Sequence, residues 1–164
     1  MSNFSQYINR TIESHMSIRK VQAEDHPVLL GIWEQSVRAS HDFLSEKDIQ
    51  SLIPIVRDQA LPNLEVWVLC DEASAPVGFM GLDGSKLEAL FISPERFRKG
   101  GGKIMLEHAR RLKGQLQVDV NEQNTRAVAF YLSNGFSVSS RSSTDSQGNP
   151  FPLLHLLEAT ESTA

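Results

Sequence analysis

The stretch that decides the fold is LFISPERFRKGGGKIML, residues 90–106. Its apolar start is typical of a buried strand, and its end is typical of the first turns of an amphipathic helix. Between them lie three consecutive glycines in a basic segment. Glycine lets the backbone adopt positive φ and approach a ligand closely, and a helix that begins behind it points free N–H groups at the turn. The stretch therefore predicts a phosphate-binding turn.

The bulk composition describes one domain with an ordinary core and an acidic surface. The chain has 164 residues, of which 40% are hydrophobic and 22% are charged. The net charge is −4 and the sequence pI is about 5.7. An acidic chain is not typical of a nucleic-acid binder or of a protein that binds an anionic membrane surface. The basic residues of the glycine turn stand out against that background, although a solvated turn would also carry them.

Cysteine content and hydropathy indicate the compartment. Cys70 is the single cysteine and lies in an apolar run, so we expect a buried thiol in a reduced, cytoplasmic protein. No apolar segment is long enough to span a bilayer. We expect one domain over residues 17–158. Residues 1–16 are predicted to be an extension that is either helical or disordered, and residues 159–164 a tail.

Alternation, helical spacing and turn residues predict the element order β, α, α, β, β, β, α, β, α, β, β. Ser45 and Asp48 form a capping-box pattern at the start of the second helix. The helix behind the glycines is expected to bury Met105, Ala109 and Leu112 and to end at Gly114. Antiparallel strands first and crossover helices later indicate a mixed sheet with helices on both faces.

A second motif, NTRAVAFYLSNGF at residues 124–136, lies one strand downstream of the glycine turn. The glycine turn itself already excludes two common kinds of phosphate site. A P-loop needs Ser or Thr directly after its Gly-Lys pair, but Ile104 follows Lys103 here. The glycines also lack the spread of a dinucleotide-binding fingerprint. A nucleotide-binding protein without acyl chemistry is therefore disfavoured.

Together the two motifs resemble the GNAT superfamily of acetyl-CoA-dependent N-acetyltransferases. Its members carry Arg/Gln-x-x-Gly-x-Gly/Ala, then a strand, then Asn-x-x-Ala-x-x-Phe-Tyr-x-x-x-Gly-Phe. The specific resemblance covers residues 87–136. It implies an α/β fold with a mixed, mostly antiparallel sheet of about seven strands, helices on both faces, and a V-shaped splay between the fourth and fifth strands. One position departs from the pattern, because Phe97 stands where relatives carry Arg or Gln.

The resemblance implies acetyl-CoA as co-substrate and no metal. The pantetheine arm would pair with a free strand edge at Phe91 and Ile92, where a β-bulge would aim a backbone N–H at the thioester carbonyl. The cofactor-binding residues implied by the motifs are Phe91, Ile92, Phe97, Arg98, Lys99, Gly100, Gly101, Gly102, Lys103, Asn124 and Tyr131.

Two residues are implied as catalytic. Tyr131 matches the family tyrosine that acts as general acid at the sulfur, although a tyrosine packed on the sheet is the structural alternative. Glu88 is the first candidate for the general base, because alternation places it on one strand face with Lys86, Leu90 and Ile92. A solvent-facing role is the alternative for Glu88. Asn124 would contact the CoA arm, cap a helix, or do both.

The acceptor-binding half is less constrained by the motifs. Our candidates are Trp33, His41, Phe43 and His155, with His41 as the second candidate for the base. The segment that contains His41 and Phe43 falls between the first two helices, where the family places its acceptor loop. Structural roles are the alternative for each, and the helical spacing of Trp33 is that of a core residue.

These features predict an enzyme that transfers an acetyl group from acetyl-CoA to a primary amine by direct attack in a ternary complex. The acceptor is a small-molecule amine or a protein amine. The enzyme is expected to be a monomer or homodimer with no nucleic-acid or membrane partner. The alternatives are transfer of another short acyl group, or a CoA-binding regulatory or sensor module with little turnover.

Overall fold

The computed structural model describes residues 16–159. The predicted extension, apart from Met16, and the predicted tail, apart from Ala159, lie outside the described residues. The strands in this part of the chain are β1 Ser17–Lys20, β2 Glu65–Cys70, β3 Pro76–Asp83, β4 Lys86–Ile92, β5 Gln117–Asn121, β6 Phe136–Ser142 and β7 Leu153–Glu158. The longer helices are α1 His26–Ser40, α2 Glu46–Ile55, α3 Gly101–Lys113 and α4 Thr125–Ser133.

Shorter helical segments complete the chain trace. Single 3₁₀ turns lie at Ala23–Asp25 and Pro94–Arg96. Helix α2 carries Pro54 near its end, and the chain continues from it through a π-helical segment, Val56–Ala60, into one helical turn, Leu61–Asn63. A proline removes one intrahelical donor and crowds the preceding turn, which is a common cause of such irregularity. No helix among residues 16–159 is long and apolar enough to cross a membrane.

The seven strands form one sheet in the order β1-β2-β3-β4-β5-β7-β6. Every neighbouring pair is antiparallel except β4 and β5, which are parallel. That parallel pairing is limited to Lys86 with Gln117 and Leu87 with Val118. Beyond Leu87 the two strands separate, so the predicted splay between the fourth and fifth strands is confirmed. The separation leaves backbone groups of β4 without a strand partner.

The sheet has a hydrophobic core on each face. Helices α3 and α4 cover one face, and the core there includes Met105, Leu106, Ala109 and Tyr131. Leu112, which we expected in that core, is 43% exposed, because it lies beyond the buried stripe of the helix. On the other face α1 packs through residues at helical spacing, each 6% exposed or less: Leu29, Ile32, Trp33 and Val37. Burying one such side chain stabilises the fold by about 1.5–3 kcal/mol.

A β-bulge in β4 changes which residues face the cleft. Ala89 pairs with Gly81 and Leu87 pairs with Leu82, so Glu88 is an extra residue on β4. Leu87 points into the core under α3, whereas Ala89 packs on the opposite face. The prediction that Lys86, Glu88, Leu90 and Ile92 share one face is therefore wrong, because Leu90 and Ile92 pack toward α3. The bulge is also several residues earlier than the expected position at Phe91 and Ile92.

Candidate active site

The separation of β4 and β5 opens a cleft of about 380 Å³. Its walls are β4, β5, the glycine turn, the starts of α3 and α4, and the carboxyl end of α1. The predicted catalytic residues Tyr131 and Glu88 line it, as does His41. The predicted cofactor residues that line it are Phe91, Ile92, Phe97, Arg98, Gly100, Gly101, Gly102, Lys103 and Asn124. Lys99 is an exposed neighbour of the turn that does not line the cleft.

The glycine turn forms an anion site from its backbone. Gly100 is the N-cap of α3 with φ +86°, in the left-handed region, and no side chain caps the helix. The N–H groups of the first helical residues therefore have no intrahelical partner, and the positive end of the helix dipole lies at the same place. Arg98 and Lys103 line the cleft beside them. This arrangement suits a pyrophosphate.

Gly101 and Gly102 are required for close packing and not for unusual backbone angles. A Cβ on Gly101 would lie 2.8 Å from a methyl of Leu69, and one on Gly102 would lie 2.9 Å from the ring of Phe130. Both distances are shorter than carbon atoms tolerate. The glycines therefore let the start of α3 pack directly on β2 and α4. The expectation of positive φ holds for Gly100 and not for these two.

Tyr131 lies in the wall of the cleft and is only 6% exposed. Its ring makes edge contacts with Phe130 and Phe136, with centroids 5.2 Å and 5.4 Å away. Burial raises the pKa of the phenol above its usual range, so the hydroxyl stays protonated at neutral pH. Tyr131 thus packs on the sheet and also lines the cleft, and its role as general acid stays a prediction.

Asn124 lies at the start of α4 and is 9% exposed. Its side-chain oxygen accepts a hydrogen bond from the Ala127 N–H at 3.2 Å, which is the predicted helix cap. Its side-chain nitrogen lies 3.1 Å from Nε2 of His41, at the end of α1. Nδ1 of His41 lies 2.8 Å from the hydroxyl of Ser40. One polar chain thus joins α1 to α4 across the cleft.

A second polar cluster lies where β4, β5 and β7 meet. Nζ of Lys86 lies 3.2 Å from a carboxylate oxygen of Glu88 and 2.9 Å from one of Asp119. His155 contacts the other oxygen of Asp119 through Nδ1 at 2.6 Å, and Nε2 lies 2.6 Å from the hydroxyl of Ser142. Although burial acts to raise it, the hydrogen bonds from Lys86 and His155 hold the pKa of Asp119 below its usual range. Both carboxylates line the cleft.

The remaining acceptor candidates lie outside the cleft wall. Trp33 is 4% exposed and packs in the core under α1, as its helical spacing indicated. Phe43 is half-buried between His41 and Phe151, with ring centroids 5.3 Å and 6.0 Å away. His155 reaches the cleft only through Asp119. No group of three or more His, Cys, Asp or Glu side chains that could hold a metal ion occurs within residues 16–159.

The comparisons with known proteins identify the family. Peptidyl-lysine N-acetyltransferase YjaB of Salmonella typhimurium is 44% identical over 142 residues, which cover 87% of this chain and 97% of that protein. This chain belongs to the GNAT acetyltransferase family. The family model described as an acetyltransferase (GNAT) domain matches residues 62–138 of the chain.

Other matches extend the similarity of this GNAT chain. Peptidyl-lysine N-acetyltransferase YiaC of Escherichia coli is 31% identical over 122 residues, or 74% of this chain and 83% of that protein. The solution structure of apo YjaB from Escherichia coli superimposes with a TM-score of 0.82 at 43% identity, covering 88% and 97% of the two chains. The N-acetyltransferase PaiA from Thermoplasma acidophilum, solved with coenzyme A, shares the fold at 22% identity and a TM-score of 0.71, covering 88% and 99%.

The chain is therefore an N-acetyltransferase that uses acetyl-CoA and an amine acceptor. This confirms the expected enzyme class over the sensor alternative.

Sequence reasoning missed several residues that line the cleft of this acetyltransferase. Asp119 carries a signal that could have identified it, because it alternates with Val118 and Val120 and so faces away from their core. Arg126 adds a cation on the first turn of α4. Ser36 and Ser40 line the α1 side of the cleft, but nothing in the helical pattern distinguishes them from ordinary helix residues.

Proposed function

We propose that this acetyltransferase acetylates the ε-amines of lysine side chains in proteins. The observation that carries the proposal is the 44% identity to a peptidyl-lysine N-acetyltransferase over 97% of that relative's length. The acceptor side of the cleft supports it. There Glu88 and Asp119 already hold an alkylammonium group, that of Lys86, at 3.2 Å and 2.9 Å. An incoming lysine ammonium has the same chemistry.

Bound acetyl-CoA supplies an activated acetyl thioester. The N–H groups at the start of α3 bind its pyrophosphate, and Arg98 and Lys103 add positive charge. Phe97 replaces a family Arg or Gln without loss of these backbone donors. The edge of β4 beyond Leu87 offers free backbone groups to the arm. One such N–H polarises the thioester carbonyl and stabilises the oxyanion that forms when the amine attacks.

The proton transfers are assigned to two side chains on opposite walls. Glu88 accepts a proton from the acceptor ammonium, which leaves a neutral amine able to attack the carbonyl directly. The N–C bond forms, the attached nitrogen gives up its extra proton to solvent, the C–S bond breaks, and Tyr131 donates a proton to the departing sulfur. Solvent then returns the proton to Tyr131 and removes the one on Glu88. No acyl group is attached to the protein in this sequence.

Replacing Glu88 by Gln tests the base. We expect kcat at neutral pH to fall by about 10²-fold or more, with an unchanged affinity for CoA. Glu107→Gln, an exposed change on α3 outside the cleft, is the matched control. Equal kcat in the Glu88→Gln variant and the wild type would exclude Glu88 as the base.

A set of three peptides tests the acceptor. The first has a blocked amino terminus and one internal lysine, the second has arginine in place of that lysine, and the third has the arginine and a free amino terminus. Release of free thiol from acetyl-CoA should occur only with the first, and mass spectrometry should locate the acetyl group on its lysine. Turnover with the third peptide alone, or with free amino acids or polyamines and none of the peptides, would contradict the proposal.

Other expectations stay predictions. These are the cytoplasmic location, the monomeric or homodimeric state, and the lack of a nucleic-acid or membrane partner.

A further inference from the structure

His41 and Asn124 are 83 residues apart in sequence and meet in the cleft. His41 ends α1, where its backbone N–H donates to the carbonyl of Val37 at 2.8 Å. Asn124 begins α4, the helix that carries Tyr131 two turns later. The contact between the two side chains is therefore a bridge between the acceptor side and the cofactor side of the enzyme.

The hydrogen-bond donors along this chain define the tautomer of His41. The hydroxyl of Ser40 donates its single proton to the carbonyl of Ser36 at 2.7 Å. Its oxygen can therefore only accept at Nδ1 of His41, 2.8 Å away, so that Nδ1 carries the imidazole proton. Nε2 is left with a lone pair. That lone pair accepts an N–H of the Asn124 amide at 3.1 Å.

The hydrogen-bond partners of Asn124 define the orientation of its side-chain amide. Its oxygen is used by the Ala127 N–H, and its backbone N–H donates to the carbonyl of Asn121 at 3.0 Å. One of the two side-chain amide hydrogens is used by His41. Because the amide is planar, the second hydrogen has a fixed direction, and Asn124 lines the cleft.

We propose that His41 is a positioning residue whose neutral imidazole orients the Asn124 amide so that its second N–H binds the arm of CoA. The proposal rests on the acetyl-CoA-dependent function of this cleft and adds the residue that sets the geometry of Asn124. Its consequence is that CoA affinity depends on the charge of a side chain that belongs to the acceptor loop.

Protonation of His41 disrupts the bridge. A proton on Nε2 would face the two hydrogens of the Asn124 amide, and rotating the amide to avoid them would remove the cap of α4. Losing such a cap destabilises the first turn of the helix. Burial lowers the pKa of His41, while Asp42 acts in the opposite direction. CoA affinity is therefore expected to be highest above the pKa of His41 and to weaken as the pH falls through it.

Other charged groups face the same cleft and act electrostatically on CoA binding. They come from β4, β5, the glycine turn, α3 and α4: Glu88, Asp119, Arg98, Lys103 and Arg126. A comparison of His41 variants in the same background separates the contribution of the imidazole from theirs.

Two substitutions of His41 separate the effect of the ring's shape on CoA affinity from the effect of its hydrogen bond to Asn124. His41→Phe keeps a ring against Phe43 but has no acceptor atom. His41→Gln places an amide oxygen near the position of Nε2, where it can accept from Asn124, and it cannot be protonated. His26→Gln, on the same helix and outside the cleft, is the control for loss of a histidine.

The measurement is the affinity for CoA by isothermal titration calorimetry between pH 5 and pH 8, which requires no acceptor. At pH 8 we expect His41→Phe to weaken binding roughly 2- to 10-fold, the effect of one hydrogen bond. His41→Gln should retain the affinity and lose the decrease at acidic pH that the wild type and His26→Gln show. Thermal unfolding of each variant checks that it is folded.

A double-mutant cycle completes the test. Asn124→Ser keeps a good helix cap but removes the donor to His41. In that background, His41→Phe should have no further effect on CoA affinity. A full effect there, or wild-type affinity and pH dependence in His41→Phe alone, would overturn the positioning role. If folded wild-type protein bound no CoA, both this inference and the acetyl-CoA function would be refuted.

Discussion

Replacing Tyr131 by Phe removes one hydroxyl and leaves the packing of the ring intact. The ring is 6% exposed and keeps its edge contacts with Phe130 and Phe136. We therefore expect the free energy of unfolding to change by no more than about 1.5 kcal/mol, the upper end of the net contribution of one hydroxyl. Loss of a positioned general acid lowers kcat by about 10²- to 10⁴-fold, which corresponds to about 3–5 kcal/mol of transition-state stabilisation.

The pKa of Tyr131 leads to a second expectation for the same variant, which concerns its pH profile. Burial raises that pKa, so the phenol stays protonated at neutral and mildly alkaline pH. Its deprotonation therefore does not shape the pH profile, and the residual activity of Tyr131→Phe should show the same profile as the wild type.

The assay follows free thiol released from acetyl-CoA at saturating acceptor, with CoA affinity measured separately. Ser133→Ala is the matched control, because Ser133 lies on the same helix, does not line the cleft, and donates its hydroxyl proton to the carbonyl of Phe130. Undiminished kcat in Tyr131→Phe would refute the general-acid role. A large loss of CoA affinity with unchanged kcat would assign Tyr131 to binding instead.

Two further substitutions test the glycine turn as the pyrophosphate site and the stability of the fold in acid. Gly102→Val should weaken CoA binding at least about 10-fold. Its Cβ would lie 2.9 Å from Phe130, so the start of α3 would have to move together with the N–H groups that bind the pyrophosphate. Gly31→Val, where the Cβ meets open space, should not weaken binding, and calorimetry of CoA binding compares them. Asp25 is 9% exposed and its pKa is lowered to about 2, chiefly by the hydrogen bonds from Arg19. It therefore contributes about 1–2 kcal/mol above pH 4 that is lost as the pH falls from about 4 to 2, so Asp25→Asn should lower the melting temperature at pH 7 and flatten its decrease below pH 4.

Local side-chain chemistry was predictable from the sequence. Ser45 and Asp48 form the expected capping box, with hydrogen bonds of 3.1 Å and 2.9 Å between side chains and backbone. Gly114 ends α3 with φ +77°. Asn124 caps α4 as expected. Each of these interactions joins residues within a few positions of one another, so short-range spacing contains the information.

Features that depend on partners elsewhere in the chain were not predictable in the same way. The bulge at Glu88 arises from pairing with β3, and alternation along β4 alone assigned the wrong face to Leu90 and Ile92. The need for glycine at position 102 comes from Phe130 on another helix. The two motifs still located most of the residues that line the cleft.

The contact between His41 and Asn124 is the clearest case of missing information. Each residue was a candidate for its own reason, one in the acceptor loop and one in the cofactor motif. Only the fold, which brings the end of α1 to the start of α4, shows that the two side chains meet at 3.1 Å.

The most direct test of the account is a crystal structure of the enzyme with CoA and a lysine-containing peptide. We predict the pyrophosphate on the N–H groups that begin α3, the sulfur within hydrogen-bonding distance of the Tyr131 hydroxyl, and the lysine amine on the Glu88 side of the cleft. A sulfur atom remote from Tyr131, or a pyrophosphate bound away from Gly100 to Lys103, would show that the acetyl transfer does not take place in this cleft as we propose.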